Sequence, residues 1–392
     1  MTALARSDPA APAPDGLSIE AVSGPAALQP FLELPQALYR DDPNWVPPLL
    51  LERRMHLDPR KNPFFQTAEV AYWLARREGR PVGRISAQVN RAHLERYGDA
   101  TGNFGFLEAE DDPEIFAALT ATAEAWLRAR GMQRVTGPFT LSINDESGLL
   151  VAGFETPPYL MMNHAPPYYA QRLEALGYRK AKDLIAYHCA ADFPLPRAAE
   201  ALLAKAGRDE SLRVRPIDRS NFRREIAIVV DIFNDAWSEN WGFLPFSEAE
   251  VEYMAENLKP ILAAGGVAIA EVAGEPAAMA VTLPNVNEAI RDLGGRLLPF
   301  GWLKLLWRLK VRTPKGVRMP LMGVRRRYHG TPLGGVLGLM VIEQVRAFHR
   351  ARGVIEGELS WILEDNEPTR HLIESLGGRA YKTYRIYEKA LA

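Results

Sequence analysis

The feature that most constrains the fold is an internal repeat. LEALGYRKAKDLIAY, beginning at Leu173, aligns without a gap with IESLGGRAYKTYRIY, beginning at Ile373. Glu174, Leu176, Gly177, Arg179, Lys182 and Tyr187 match Glu374, Leu376, Gly377, Arg379, Lys382 and Tyr387. Earlier parts of the halves run in parallel, so duplication of one folding unit explains the match. Residues 70–86 (VAYWLARREGRPVGRIS) and 267–282 (VAIAEVAGEPAAMAVT) each read as strand, turn, strand. A long helix follows in each half, over 113–130 and 333–352, stopped by Gly131 and Gly353 where a left-handed cap residue is wanted. Next come the β-runs GMQRVTGPF and VIEGELSWIL, and then a short helix ending in Leu-Gly. The common order is β-β-(β)-α-β-α-β. It predicts an α/β chain of the α+β kind: two tandem domains, each a mixed, mostly antiparallel sheet flanked by helices.

The expected boundaries are 17–192 and 213–392, joined by an Ala- and Leu-rich linker helix within 193–212. With 392 residues the chain exceeds what one core usually supports. Residues 1–16 (MTALARSDPAAPAPDG) lack large apolar side chains and read as a disordered tail without a secretory signal. The formal net charge of −1 gives no basic surface for nucleic acid. Cys189 is the single cysteine, which excludes an intrachain disulfide and a thiolate zinc site, and fits a reducing cytoplasm. No metal is expected. No run of eighteen apolar residues suits a spanning helix.

The chemistry concentrates in LMGVRRRYHGTPLGGVLGLMVIEQVRAFHRARG, which begins as an apolar strand, passes a basic, Gly-rich loop and opens a long amphipathic helix. Backbone N–H groups at a helix start lack intrahelical partners and carry the positive end of the macrodipole, so a pyrophosphate can rest there. Arg325, Arg326 and Arg327 add charge, and Gly330, Gly334 and Gly335 admit close backbone approach. An ordinary strand-to-helix turn with solvated arginines is the competing reading. No Gly-Lys-Ser/Thr follows, so this is not a Walker loop.

The downstream residues resemble the GNAT acyltransferase superfamily. The loop is Arg327-x-x-Gly330-x-Pro332, the next strand covers 354–363, and the last motif is Asn366-x-x-Thr369-x-x-Leu372-Ile373-x-x-x-Gly377-Gly378. The resemblance spans about 213–392 and implies an acyl-CoA donor. It implies that Val324 offers a backbone group to the thioester carbonyl. Arg327, Gly330, Thr331, Leu333 and Gly334 would cradle the diphosphate, and Asn366 would lie beside the pantetheine. Two positions depart from the pattern: Pro332 replaces the second glycine, and Ile373 stands where most members have a tyrosine that protonates the leaving thiolate. Tyr328 or Tyr384 could take that role, and a thiol of pKa near 8.5 also leaves without a dedicated acid.

Transfer to an amine needs a base, for which Glu239, Glu288 and His329 are the candidates. Trp237, Asn240 and Trp241 crowd NDAWSENWGF beside Asn234 and read as acceptor-pocket residues. In the first half, acidic AEDD replaces the basic loop and would repel a diphosphate, with Asp111 or Asp112 expected to cap the helix. Asn144, Asp145, Glu146, Asn163, Tyr168 and Tyr169 either line an acceptor site or serve turns and caps.

The insertion near 291–318 suggests the acceptor. At helical spacing Trp302, Leu305, Leu306 and Leu309 fall on one side, and Lys304, Arg308 and Arg312 on the other. That is the profile of an interfacial helix, predicting peripheral contact through 296–312 at the inner face of the cytoplasmic membrane; packing on the first domain is the alternative. Through the pattern GPF…SG…GF…P…YY…LGY within 137–178, the whole chain is similar to a bacterial family of tandem GNAT-like proteins that includes ceramide synthases, which implies a long-chain lipid amine such as a sphingoid base as acceptor. Two further readings stay open: an acetyltransferase for a small soluble amine, and a non-catalytic protein that binds acyl-CoA or lipid.

Overall fold

β-Prone runs bounded by turns give strands in both halves. The computed structural model describes residues 16–391, so the expected tail lies outside the described residues apart from Gly16. In chain order the first half contains β1 (Leu17–Ala21), α1 (Gly24–Leu38), α2 (Leu50–His56), α3 (Phe64–Thr67), β2 (Ala68–Arg77) and β3 (Arg80–Asn90). It continues with α4 (Arg91–Tyr97), β4 (Thr101–Ala109), α5 (Pro113–Arg128), β5 (Arg134–Gly137), β6 (Leu149–Ala152), α6 (Tyr168–Ala175) and β7 (Arg179–Ala190). The second half has α7 (Arg197–Ala206), β8 (Leu212–Pro216), α8 (Phe222–Ala236), α9 (Glu248–Leu258), β9 (Val267–Val272), β10 (Glu275–Pro284) and α10 (Val286–Ile290). It ends with α11 (Gly301–Trp307), β11 (Gly316–Val324), α12 (Pro332–Arg350), β12 (Glu356–Leu363), α13 (Glu367–Ser375) and β13 (Arg379–Ala390).

Two compact units emerge, and neither is contiguous in sequence. The first runs to Asp183 and takes in Leu293–Arg296 and the chain from Tyr384 onward; the second is Leu184–Asp292 with Leu297–Thr383. The repeated strands cause this. Within the second unit, the later part of β7 pairs antiparallel with β12, from Glu356↔Ala190 to Leu363↔Leu184. Within the first unit, the later part of β13 pairs antiparallel with β5, from Tyr387↔Gly137 to Ala390↔Arg134. Each half therefore supplies its last strand to the unit built mainly by the other half.

In both units helices cover both sheet faces. A Cβ on Gly83 would lie 2.8 Å from Ile115 and Leu119 of α5, while the next residue, Arg84, turns to the opposite face and donates to Phe31 O of α1. In the second unit Gly338 of α12 meets Met322, whereas Gly323 meets Ala236 and Ile232 of α8. Asp112 caps α5 through the Glu114 N–H.

The feature that positions the site is a pair of parallel strands that part. β11 and β12 are in register from Gly316↔Glu356 to Met319↔Leu359, after which β11 continues to Val324 without β12 beside it. The first unit begins the same way, with β4 and β5 in register from Thr101↔Arg134 to Asn103↔Thr136. There the gap is filled by the chain itself. Phe139 N donates to Phe104 O at 2.9 Å, Gln88 Nε2 donates to Phe139 O and Leu141 O, and a Cβ on Gly105 would fall 1.7 Å from Phe139 O.

Candidate active site

At the open end of β11 the backbone edge is defined by hydrogen bonding. Arg325 N donates to Ala277 O at 2.8 Å, and Val324 stands opposite Ala278, so Val324 and Met322 direct their backbone groups away from β10. Two of those carbonyls are taken: Trp237 Nε1 donates to Met322 O at 3.0 Å, and His329 Nε2 lies 2.7 Å from Val324 O. The Val324 N–H points the same way, toward the space that β12 vacates.

The three arginines divide. Arg325 donates to Pro276 O at 2.7 Å and pairs with Asp231. Arg326 gives its backbone N–H to Asp235 at 2.8 Å, and its guanidinium meets Glu239 and Ser238. Both side chains thus meet the acidic edge of α8 and its C-terminal turn, which offsets the charge they would add to the loop. Arg327 lies over the Tyr328 ring at 4.9 Å, is exposed, and has no carboxylate partner among the described residues.

The helix start is partly capped from within. Thr331 Oγ1 accepts from Gly334 N at 3.1 Å and donates to Tyr328 O at 2.8 Å. Pro332 opens α12 with no N–H to satisfy, the placement in which proline is tolerated. The Leu333 N–H finds no acceptor among the described residues. Gly330 has φ +68 and open space where a side chain would be, and Gly335 is equally open. Gly334 is different, because a Cβ there would lie 2.2 Å from Tyr328 O.

Other expected residues serve the scaffold. Both Glu288 oxygens accept backbone N–H bonds, from Lys315 at 2.9 Å and Gly316 at 2.8 Å, anchoring the start of β11. That corrects its reading as a free base. His329 places Nε2 against Val324 O, which leaves Nδ1 as its remaining acceptor. Glu239 is 74% exposed and meets Arg326 through one oxygen, so it keeps acceptor capacity. Asn366 caps α13 through Thr369 N at 3.3 Å. Ile373 is buried against Gly378 and supplies no proton. Tyr384 is fully buried in the first unit beside Gly148, whereas Tyr328 is half-buried at the loop itself. Asn240 N donates to Trp237 O in the turn after α8, and Trp241 is half-buried there.

In the first unit Ala109, which ends β4 as Val324 ends β11, has both backbone groups occupied. Tyr169 OH accepts from Ala109 N at 2.8 Å, and Tyr168 OH donates to Ala109 O at 2.7 Å. Tyr169 is 1% exposed and also contacts Glu108 and Tyr39. Burial holds the Tyr169 phenol well above its ordinary pKa and raises Tyr168 to about 12. Asn163 donates to Gly148 O, Asp145 accepts from Ser142 N, Asn144 N bonds Ser142, and Glu146 pairs with half-buried Arg53. Asn163, Tyr168 and Tyr169 thus serve the scaffold through backbone contacts at Gly148 and Ala109.

A relative described as bacterial ceramide synthase, from Caulobacter vibrioides, is 47% identical over 96% of this chain and 98% of its own length. The chain belongs to that tandem GNAT-like family. A second member, Protein YghO of Escherichia coli, is 46% identical over 93% of each chain. No family model matches. Among solved structures, a tandem GNAT protein from the clavulanic acid biosynthesis pathway covers 96% of this chain and 99% of its own at TM-score 0.58 and 15% identity. A GCN5-related N-acetyltransferase from Sphaerobacter thermophilus covers 96% of both at TM-score 0.56 and 15% identity. These two likenesses show the GNAT fold.

One cluster of this tandem GNAT chain escaped sequence reasoning. Arg318 and Glu358 are register partners one pair before β11 and β12 part, and both side chains are fully buried. Arg318 Nε donates to Ser360 Oγ at 2.9 Å, Ser360 Oγ donates to Glu358 at 2.7 Å, Tyr381 OH donates to Glu358, and the guanidinium lies 4.5 Å from the Trp361 ring. The available signal was a charge inside each of two β-runs, GVRMP and GELSW. The insertion differs from its helical-wheel reading too. Leu305 and Leu309 are half-buried, while Leu298, Phe300, Trp302, Leu303, Leu306, Trp307 and Val311 are exposed. Lys304 and Arg308 both pair with Asp292, which offsets part of their charge. Among the described residues no metal-ligating group of three or more occurs, and no helix is long and apolar enough to cross a membrane.

Proposed function

We propose that the second unit transfers an acyl group from acyl-CoA to an amine, and that the acceptor is a long-chain lipid amine such as a sphingoid base. The observation that carries this is the parting of β11 from β12, which leads directly to the start of α12. A pantetheine arm laid along the exposed edge of β11 would bring a thioester carbonyl to the Val324 N–H. At the far end, the Leu333 N–H, the Gly330 turn and Arg327 offer donors and charge to a diphosphate. The kinship with a protein named ceramide synthase supports the lipid acceptor.

In the proposed reaction the amine nitrogen attacks the thioester carbon, the C–N bond forms and the C–S bond breaks. Glu239 takes the amine proton, directly or through water, because it is the base candidate whose carboxylate is not already held by backbone. The thiolate leaves and is protonated by solvent or by Tyr328. The matching slot of the first unit is filled by the Phe139 segment, so the proposal places one reaction centre in the chain.

The test is CoA release measured across donor chain lengths with sphingoid bases and with small soluble amines. Release that favours long acyl-CoA and long-chain bases is expected. Equal or better turnover of acetyl-CoA with soluble amines would replace this reading with a small-molecule acetyltransferase, and binding without release would make the chain an acyl-CoA carrier.

A further inference from the structure

We infer that the segment 298–311 docks on a lipid bilayer by inserting apolar side chains, with Lys304 and Arg308 adding little attraction because they share one carboxylate. The proposal deepens the lipid-amine reading and rests on it for its biological sense, but its physical basis is separate. Seven large apolar residues, Leu298, Phe300, Trp302, Leu303, Leu306, Trp307 and Val311, are exposed within fourteen positions, and they make up most of the exposed large apolar side chains among the described residues. Such concentration on one short segment marks an interaction surface. Two tryptophans and a phenylalanine suit the boundary between headgroups and acyl chains.

Charge selects the occupant. Arg312 and Lys315 reach no carboxylate among the described residues, and Lys310 contacts only Pro260 O at 3.4 Å. A second copy meeting this face across a two-fold axis would set those like charges against their equivalents, whereas a bilayer surface accepts them. Lys304 and Arg308, in contrast, share one carboxylate, Asp292, which offsets one of their two charges. Arg308 bonds Asp292 Oδ1 at 2.5 Å and Oδ2 at 3.0 Å and also donates to Ala289 O, and Lys304 joins the same carboxylate. Their hydrogen bonds hold the Asp292 carboxyl well below its usual range, so it carries its charge at any physiological pH.

The experiment is co-sedimentation of the full chain with phosphatidylcholine vesicles, with and without phosphatidylglycerol. The wild type should bind both, more tightly with the anionic lipid. Trp302→Ser with Leu306→Ser should weaken binding to both by roughly tenfold or more. Lys304→Gln should leave binding within about twofold, because a cation already paired in place adds little attraction. Absence of binding to either vesicle, full binding by the double variant, or a loss with Lys304→Gln as large as with the double variant would each overturn the proposal. So would an oligomer in the wild type that the double variant dissolves, since a second copy would then cover the face. CoA release from long-chain acyl-CoA with a sphingoid base dispersed in detergent, without vesicles, separates the two readings. Its absence in the wild type while vesicle binding persists would defeat the acyl-transfer reading and leave this one standing.

Discussion

Replacing Gly334 with alanine places a methyl group 2.2 Å from the Tyr328 carbonyl oxygen, where ordinary contacts begin at 3.4 Å. The loop and the first turn of α12 must then separate by about 1 Å, which costs roughly 1–3 kcal/mol by the usual penalty for overpacking. The gain from removing a helical glycine offsets about 0.5–1 kcal/mol of this. Gly335→Ala is the matched control, since nothing stands within 4 Å of its Cβ and only the gain applies. The two variants should therefore differ by about 1–3 kcal/mol in urea unfolding, with Gly334→Ala the weaker. The same displacement moves Thr331 and the Leu333 N–H away from Arg327 and the Gly330 turn. In CoA-release assays KM for acyl-CoA should rise about tenfold, equivalent to roughly 1.4 kcal/mol of lost diphosphate binding. A Gly334→Ala protein with wild-type stability and wild-type KM would refute both the close packing and the role assigned to this turn.

Three further outcomes follow from the packing. Glu358→Gln should destabilise the chain by about 3–5 kcal/mol in urea unfolding, because Arg318 would keep its charge in a fully buried site; a loss below 1 kcal/mol would show that water reaches the pair. Residues 193–392 expressed alone lack β7 and should be insoluble, yet should co-purify with residues 1–192 when both are expressed together; a soluble, folded C-terminal fragment would contradict the strand exchange. His349 has its pKa pushed down to about 4 by burial and then by Arg352, and it bonds Thr282 in the neutral form. The unfolded chain binds this proton near pH 6.5 and the folded chain does not until about pH 4, so stability is full above 6.5 and falls as pH drops toward 4. Unfolding midpoints between pH 7 and 4.5 check this, and His349→Gln should flatten the slope.

Local signals carried much of this fold. The hairpins were legible because Gly-containing turns separate β-prone runs, and α5 and α12 because Gly131 and Gly353 take positive φ where each helix stops. The strand exchange was not legible, because the patterns of β7 and β13 specify a strand but not the sheet that receives it. The arginine loop misled for a related reason: sequence shows three adjacent cations, whereas the helix carrying Asp231 and Asp235 comes from far upstream in the chain. The Tyr168 and Tyr169 pair looked like a binding surface because aromatic residues crowd an apparent loop, and only the fold brings Ala109 beneath them. In the insertion a helical wheel treated every cation as solvated, and Asp292 changes that assignment.

The most direct measurement is a crystal structure of the chain with coenzyme A. The account predicts the diphosphate within hydrogen-bonding distance of the Leu333 N–H, with Arg327 beside it and the pantetheine along the β11 edge next to Val324. A nucleotide bound elsewhere, or a pantetheine arm in the first unit beside Gly105, would contradict it.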